Sequence, residues 1–192
     1  MHELVTTVTL RKFERLNVYW LVLTYSLPSN QGSSLRVNIW RRLNRLGAIS
    51  PRGGVHILPA TEDCLESFQW LVKEIQQQKG DCLLMNVESF EGLGDQELIN
   101  LFIQRSEKDY AELENTIVTL INTLTGKSSQ EDRIRLHAEI EKLRRKQTEI
   151  ARNDFFDAPG GSRISSKLAR LEQSLAVDKK TSLKITKVSN QK

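Results

Sequence analysis

Residues 18–58, VYWLVLTYSLPSNQGSSLRVNIWRRLNRLGAISPRGGVHIL, decide the fold. The first eight, Val18 to Tyr25, are aromatic and β-branched and run into the breaker cluster Ser26-Leu27-Pro28-Ser29-Asn30, so they read as a buried strand followed by a loop. A helix-period stretch comes next. Placed at roughly 100° per residue, Leu35, Ile39, Leu43 and Leu46 fall on one apolar stripe, while Arg41, Arg42 and Arg45 gather with Asn38 on another. Gly47 is positioned to end that helix, because glycine accepts the left-handed conformation after a last turn. Short extended pieces around residues 48–50 and 55–58 flank Pro51-Arg52-Gly53-Gly54, a turn suited to a hairpin.

Working outward, Thr61 opens a second helix with Glu62, Asp63 and Glu66 near its positive end. Leu65, Phe68, Leu71, Val72 and Ile75 form its expected apolar face, Gly80 closes it, and residues 82–87 give another buried strand. The order βαββαβ in about 70 residues is the split-βαβ, ferredoxin-like plan of an α+β domain. Beyond it, residues 95–124 read as one long helix with Tyr110, Leu113, Ile117, Leu120 and Leu124 at three- and four-residue spacing. Leu136, Ile140, Leu143 and Ile150 repeat the pattern, and Ile164, Leu168, Leu171 and Leu175 repeat it again after the loop at residues 153–161. The short link Gly126-Lys127-Ser128-Ser129 makes the first two helices antiparallel neighbours, an α-helical hairpin or small bundle. The expected organisation is an N-terminal extension (1–16), a ferredoxin-like domain (17–92), a helical hairpin or bundle (93–177) and a basic, disordered tail (178–192).

Composition narrows the functional classes. A hydrophobic share of 39% with 27% charged residues describes a soluble protein, and no apolar run reaches the roughly 18 residues that a membrane span needs. The N-terminus lacks the basic start, apolar centre and small-residue site of a secretory signal, so a cytoplasmic protein is expected. Cys64 and Cys82 with His2, His56 and His137 supply neither a disulfide framework nor close metal-ligand spacing. No catalytic constellation emerges, and neither an enzyme nor a cofactor is expected. The acids around Glu88, Glu91, Asp95 and Glu97 match no calcium loop, and capping suffices to explain those at the helix start. Cys64 lies among Glu62, Asp63 and Glu66, which hold a thiol protonated; Cys82 is expected in the core.

Charge is distributed unevenly. Lys plus Arg against Asp plus Glu is 8 to 2 over residues 1–58, 4 to 13 over 59–114, and 16 to 9 over 115–192. Residues 33–52 hold five arginines (Arg36, Arg41, Arg42, Arg45, Arg52) and no acid. Each guanidinium is a fixed fork of donors that fits a phosphate or another oxyanion, so these five are the candidate binding residues. Arg144, Arg145 and Lys146 form a secondary basic face, interleaved with Glu139, Glu141 and Glu149 for helical pairing. No recognition helix of helix-turn-helix type is evident.

Several separate stretches carry a family likeness. They are Trp20-Leu-Val-Leu-Thr, Leu35 through Ala48, Val55-His-Ile-Leu-Pro59, Phe68-Gln-Trp70-Leu, Phe90 through Asp95, Asp109-Tyr110-Ala-Glu-Leu, and Asp154-Phe-Phe-Asp-Ala-Pro159-Gly. In this order, across about residues 18–176, the chain resembles the N-terminal domain of the chromate-resistance regulator ChrB family. The segment from Leu35 to Gly47 also resembles PaaX-type repressors and the small ferredoxin-like dimers of CRISPR adaptation, a likeness that bears on fold. The family resemblance implies a cytoplasmic, chromate-responsive transcriptional regulator. Full-length members carry a further C-terminal domain where this sequence has a lysine-rich tail, so chemistry housed there is not carried over. Two readings follow: a regulator binding nucleic acid such as promoter DNA through the arginine helix, with chromate as effector and a homodimer through the helical hairpin; or an oxyanion (chromate or sulfate) sensor or protein-interaction module without DNA-reading activity of its own.

Overall fold

The computed structural model describes residues 18–28, 33–124 and 130–173. The N-terminal extension, the link at 126–129, Leu175 and the basic tail lie outside them. The chain divides into two compact units, Met1–Leu101 and Phe102–Lys192.

In the first unit the elements run β1 (Trp20–Ser26), α1 (Ser33–Arg45), β2 (Ile49–Arg52), β3 (Val55–Pro59), α2 (Glu62–Gln77) and β4 (Asp81–Val87). The sheet order is β2-β3-β1-β4, with every neighbouring pair antiparallel, which is the split-βαβ arrangement expected from the element order. Residues opposite one another in an antiparallel pair share a face. One face therefore carries Leu21, Leu23 and Tyr25 with Leu58, His56, Leu84 and Cys82; the other carries Trp20 and Val22 with Ile57 and Met85. Cys82 Sγ lies 3.9 Å from the Val72 carbonyl of α2, so the first face is the one that α2 covers. Trp20, Leu21, Val22 and Leu23 are all buried, and β1 is therefore enclosed on both faces. On the second, the Trp20 indole N–H donates to Asp95 at 2.8 Å, giving that carboxylate a partner 75 residues away rather than only a capping role.

Local chemistry sets the ends of the helices. After α1, Gly47 has φ of 78°, its N–H donates to the Asn44 carbonyl at 3.1 Å, and the Ala48 N–H donates to the Leu43 carbonyl at 3.1 Å, a Schellman closure. Thr61 caps α2 by accepting the Cys64 N–H at 3.2 Å. The end of α2 differs from expectation. Lys79, with φ of 57°, takes the left-handed position, while Gly80 is required by close approach: a Cβ there would lie 2.7 Å from Ile75 Cγ2 and 2.9 Å from the Ser26 carbonyl oxygen.

Burial also corrects several side chains. Ile39 and Leu43 are core, but Leu35 and Leu46 at the two ends of the α1 stripe are only partly covered. Leu65 is exposed, since Cys64, Phe68, Leu71 and Ile75 already fill the apolar face of α2 and leave Leu65 at its flank. Cys64 is buried; burial pushes its thiol up, the hydrogen bond with Thr61 pulls it back, and Asp63 adds a smaller upward push. Cys82, expected in the core, is only partly buried on a strand at the sheet edge.

The second unit is helical. The long α3 (Asp95–Leu124) crosses the boundary between units, and α4 (Gln130–Arg152) and α5 (159–173) follow. Tyr110, Leu113, Ile117, Leu143, Ala158, Ile164 and Leu168 form its main core, with Leu136 and Ile140 making a smaller cluster beside Leu120 and Leu171. The three apolar seams read from the sequence thus pack together within one chain. Phe102 meets Phe155 edge-on at 5.7 Å between centroids and Phe156 at 5.5 Å.

A polar network locks the turn between α4 and α5. Asp154 accepts the Ala158 N–H at 2.9 Å and the Tyr110 hydroxyl at 3.2 Å, and Ser106 also donates to it. Glu107 accepts the Gly160 N–H at 2.5 Å and pairs with Arg163 at 2.6 Å. Gly160 has no room for a side chain, because a Cβ would sit 2.6 Å from Tyr110 Cβ. Among the described residues no helix is long and apolar enough to cross a membrane.

Two measurements check these features. His56, half-buried and stacked on Tyr25 at 5.5 Å, has a pKa lowered from 6.5 by burial. Between pH 6.5 and the lower folded value the unfolded chain takes up the proton first, so stability falls as the pH drops through that window. His56→Gln is expected to flatten this part of the profile of Tm against pH; an unaltered slope would refute the assignment. Tyr110→Phe leaves Asp154 short of one donor and is expected to cost about 1–2 kcal/mol in urea unfolding.

Candidate nucleic-acid interface

The candidate surface is built on α1. Ile39 and Leu43 anchor one side of the helix in the core, which turns the polar side outward. The segment has no acidic residue to neutralise its arginines locally. Arg41 and Arg45 are exposed and stand four residues apart, so their Cβ atoms are about 5–6 Å apart along one face. Arg41 has no ion-pair or hydrogen-bond partner among the described residues.

Arg42 is different. Its guanidinium pairs with Glu74 of α2, and both side chains are partly covered. That ion pair bridges the two helices, so Arg42 belongs first to the architecture of the unit and only secondarily to an outside ligand. An acid from the acidic middle of the sequence has been brought back onto the arginine helix, which periodicity within α1 could not reveal.

The other two arginines sit apart from this pair. Arg36, also exposed, lies near Tyr25, where burial raises the phenol pKa and the guanidinium opposes that rise. Arg52 is exposed at the β2–β3 turn; it faces Val55 in the ladder, and Val55 in turn faces Thr24, so Arg52 lies at the Tyr25 end of the sheet. The five candidates therefore divide into Arg41, Arg42 and Arg45 along α1 and Arg36 with Arg52 towards its start.

The secondary basic face is largely committed within its own unit. Arg144 makes a two-pronged pair with Glu172, both N–O distances being 2.9 Å, which raises the guanidinium pKa and lowers that of the carboxyl. Lys142 pairs with Glu139 at 2.6 Å, and the Arg145 side chain donates to the Glu141 carbonyl at 3.3 Å. Lys146 is exposed, and its charge acts on Asp109, whose pKa burial raises.

Other sites can be compared with this one. A polar cavity of about 540 Å³ in the second unit is lined by Tyr110, Gln147, Asp154, Asp157, Ser162 and Ser165 among others, a lining with two carboxylates and unsuited to an anion. Among the described residues no three of His, Cys, Asp and Glu are grouped to hold a metal ion. The sequence reading missed the aromatic element of α1: Trp40 is 58% exposed, one helical turn from Arg36. Its place about 100° from Ile39, off the apolar stripe in the helical period, was the available signal.

The sequence profile described as "Protein ChrB, N-terminal" matches residues 36–181. A relative from Cupriavidus metallidurans, Protein ChrB, is 28% identical over 112 residues, covering 58% of this chain and 34% of the relative. The chain thus matches about a third of that protein's length. No solved structure matches significantly. The matched span includes the arginine helix from Arg36 onward, the remaining elements of the first unit, the helices of the second and the Asp154–Gly160 turn, and on that coverage the chain belongs to the family of the ChrB N-terminal domain.

Proposed function

We propose that this chain is the nucleic-acid-binding part of a cytoplasmic regulator of chromate resistance, and that α1 is the surface that takes the phosphates. The observation that carries this reading is an acid-free helix whose outward side holds Arg41, unpartnered among the described residues, with exposed Arg45 one turn beyond it. Neighbouring cations on a straight face suit a polymer with regularly spaced charges. They suit a single small dianion less well, because such a ligand requires its donors to converge on one point. Arg36 and Arg41, five residues apart, stand roughly 140° from one another around the helix.

Phosphate contact supplies affinity and salt dependence without sequence choice. Specificity and the response to chromate would then depend on features other than these arginines. A homodimer through the helical unit would use its exposed apolar side chains, Val118, Ile121 and Ile134, because the main seams are occupied in the core.

Binding to DNA from upstream of the gene, followed by fluorescence anisotropy between about 50 and 300 mM salt, is expected to weaken steeply as salt rises. Arg41→Ala and Arg45→Ala should each weaken binding and reduce the salt slope by about 1. Glu74→Gln should release Arg42 and strengthen binding severalfold at low salt. Salt-insensitive binding, or affinity unchanged in the Arg41→Ala/Arg45→Ala double variant, would overturn the proposal. Titration with chromate and with sulfate, in the absence of DNA, tests the oxyanion-sensor alternative: heat abolished by the same double variant would favour it.

A further inference from the structure

The three tryptophans have different environments. Trp20 is buried, with its indole N–H on Asp95. Trp70 is 55% exposed, but its N–H donates to Glu66 at 3.3 Å and Lys73 Nζ stands 4.7 Å from the ring centroid. Trp40 is 58% exposed and has neither a hydrogen bond nor a ring contact among the described residues. It thus presents a large apolar face to water from within the most basic helix of the first unit.

The neighbours of Trp40 narrow its ligand. Arg36 lies one turn before it, Arg41 is adjacent in sequence, and exposed Val37 is three residues away. A helix lying in a lipid surface needs a broad apolar face. The apolar face of α1 is instead spent on the core through Ile39 and Leu43. A protein partner for this helix would have to be acidic and present an apolar pocket as well. Nucleic acid meets both demands with one repeating unit, a phosphate joined to a flat base.

The ring selects further among nucleic acids. In a closed duplex each base face is covered by its neighbours, and a helix in the major groove reads polar base edges. An indole has a single N–H donor and otherwise offers its face. That face is complementary to an unstacked base, the contact used by proteins that hold single strands.

We propose that Trp40 is a base-stacking platform and that the nucleic acid bound by α1 is single-stranded or locally unpaired, with Arg36 and Arg41 holding phosphates on either side of the stacked base. This rests on the nucleic-acid reading of α1 given above and adds the class of strand that the surface takes.

The test uses the full chain and fluorescein-labelled probes: an oligothymidylate of about 20 nucleotides, the same strand with abasic positions, and a mixed-sequence duplex of equal length. The single strand is expected to bind more tightly than the duplex. Trp40→Ala should weaken single-strand binding about tenfold, leave duplex binding nearly unchanged and lose its effect on the abasic strand. Trp40→Phe, which keeps an aromatic face, should retain most of the affinity, and Trp70→Ala should behave as the parent protein. Circular dichroism and Tm of each variant separate a binding defect from a folding defect.

Equal losses on single strand and duplex, or no loss on either, would overturn the stacking proposal, as would tighter binding to the duplex. If duplex binding stays salt-dependent and needs Arg41 and Arg45, the reading of α1 as a phosphate surface stands without it. Failure of both probes to bind removes both proposals. Trp40-dependent binding to phosphatidylserine vesicles without binding to any oligonucleotide would assign the surface to lipid instead.

Discussion

The enclosure of β1 is the constraint on which the first unit depends. Its residues Trp20 to Leu23 contact core on both faces of the sheet, and β1 pairs with β3 on one side and β4 on the other. Once it is central, the other strands have defined places. β2 must lie outside β3 and β4 must form the opposite edge, while α1 and α2 bury their apolar sides around Ile39, Leu43, Phe68, Leu71 and Ile75. The strand is wholly apolar at these four positions because neither face meets water. Burial of the Trp20 indole requires a partner for its N–H, which Asp95 provides from the start of α3.

The same packing gives α1 its chemistry. A helix anchored by two fully buried side chains has little freedom to rotate, so the orientation of its remaining side chains follows from the core. Arg42 is directed to Glu74, whereas Arg41, Arg45 and Trp40 are left on the exposed side. An ion pair that keeps this much contact with solvent contributes only about 0–1 kcal/mol to stability. Its larger effect here is on availability: it commits the Arg42 guanidinium to an internal carboxylate, with which an outside anion would have to compete.

In the second unit the polar network around Asp154 has the part that β1 has in the first. Burial raises the Asp154 pKa, opposed by the hydrogen bonds from Ala158, Tyr110 and Ser106 that its carboxylate accepts. The sequence Asp154-Phe-Phe-Asp-Ala-Pro-Gly160 thereby obtains a physical explanation. The aspartate ties the turn to α3, Phe155 and Phe156 pack on Phe102, and the glycine admits the Tyr110 ring. These residues account for a conspicuous motif without invoking a ligand. The acidic lining of the adjoining cavity also separates it from the cationic chemistry of α1.

What the sequence determined by itself was everything encoded by short-range periodicity: the two-residue and 3.6-residue patterns, the Gly47 stop, the Thr61 cap, and hence the order βαββαβ followed by apolar helical seams. Such signals are local, since each depends on residues within one or two turns of one another. The arginine helix was legible for the same reason, as was the division between its apolar and cationic sides. Tertiary structure alone decided which cations remain available and which aromatic ring is uncovered. Arg42 meets Glu74 across 32 positions, Trp20 meets Asp95 across 75, and Tyr110 meets Asp154 across 44. No periodic pattern links residues so far apart; only the closure of the sheet and of the helical core brings them within hydrogen-bonding distance, and what those closures leave outside, Arg41 and Trp40, defines the surface that the protein offers.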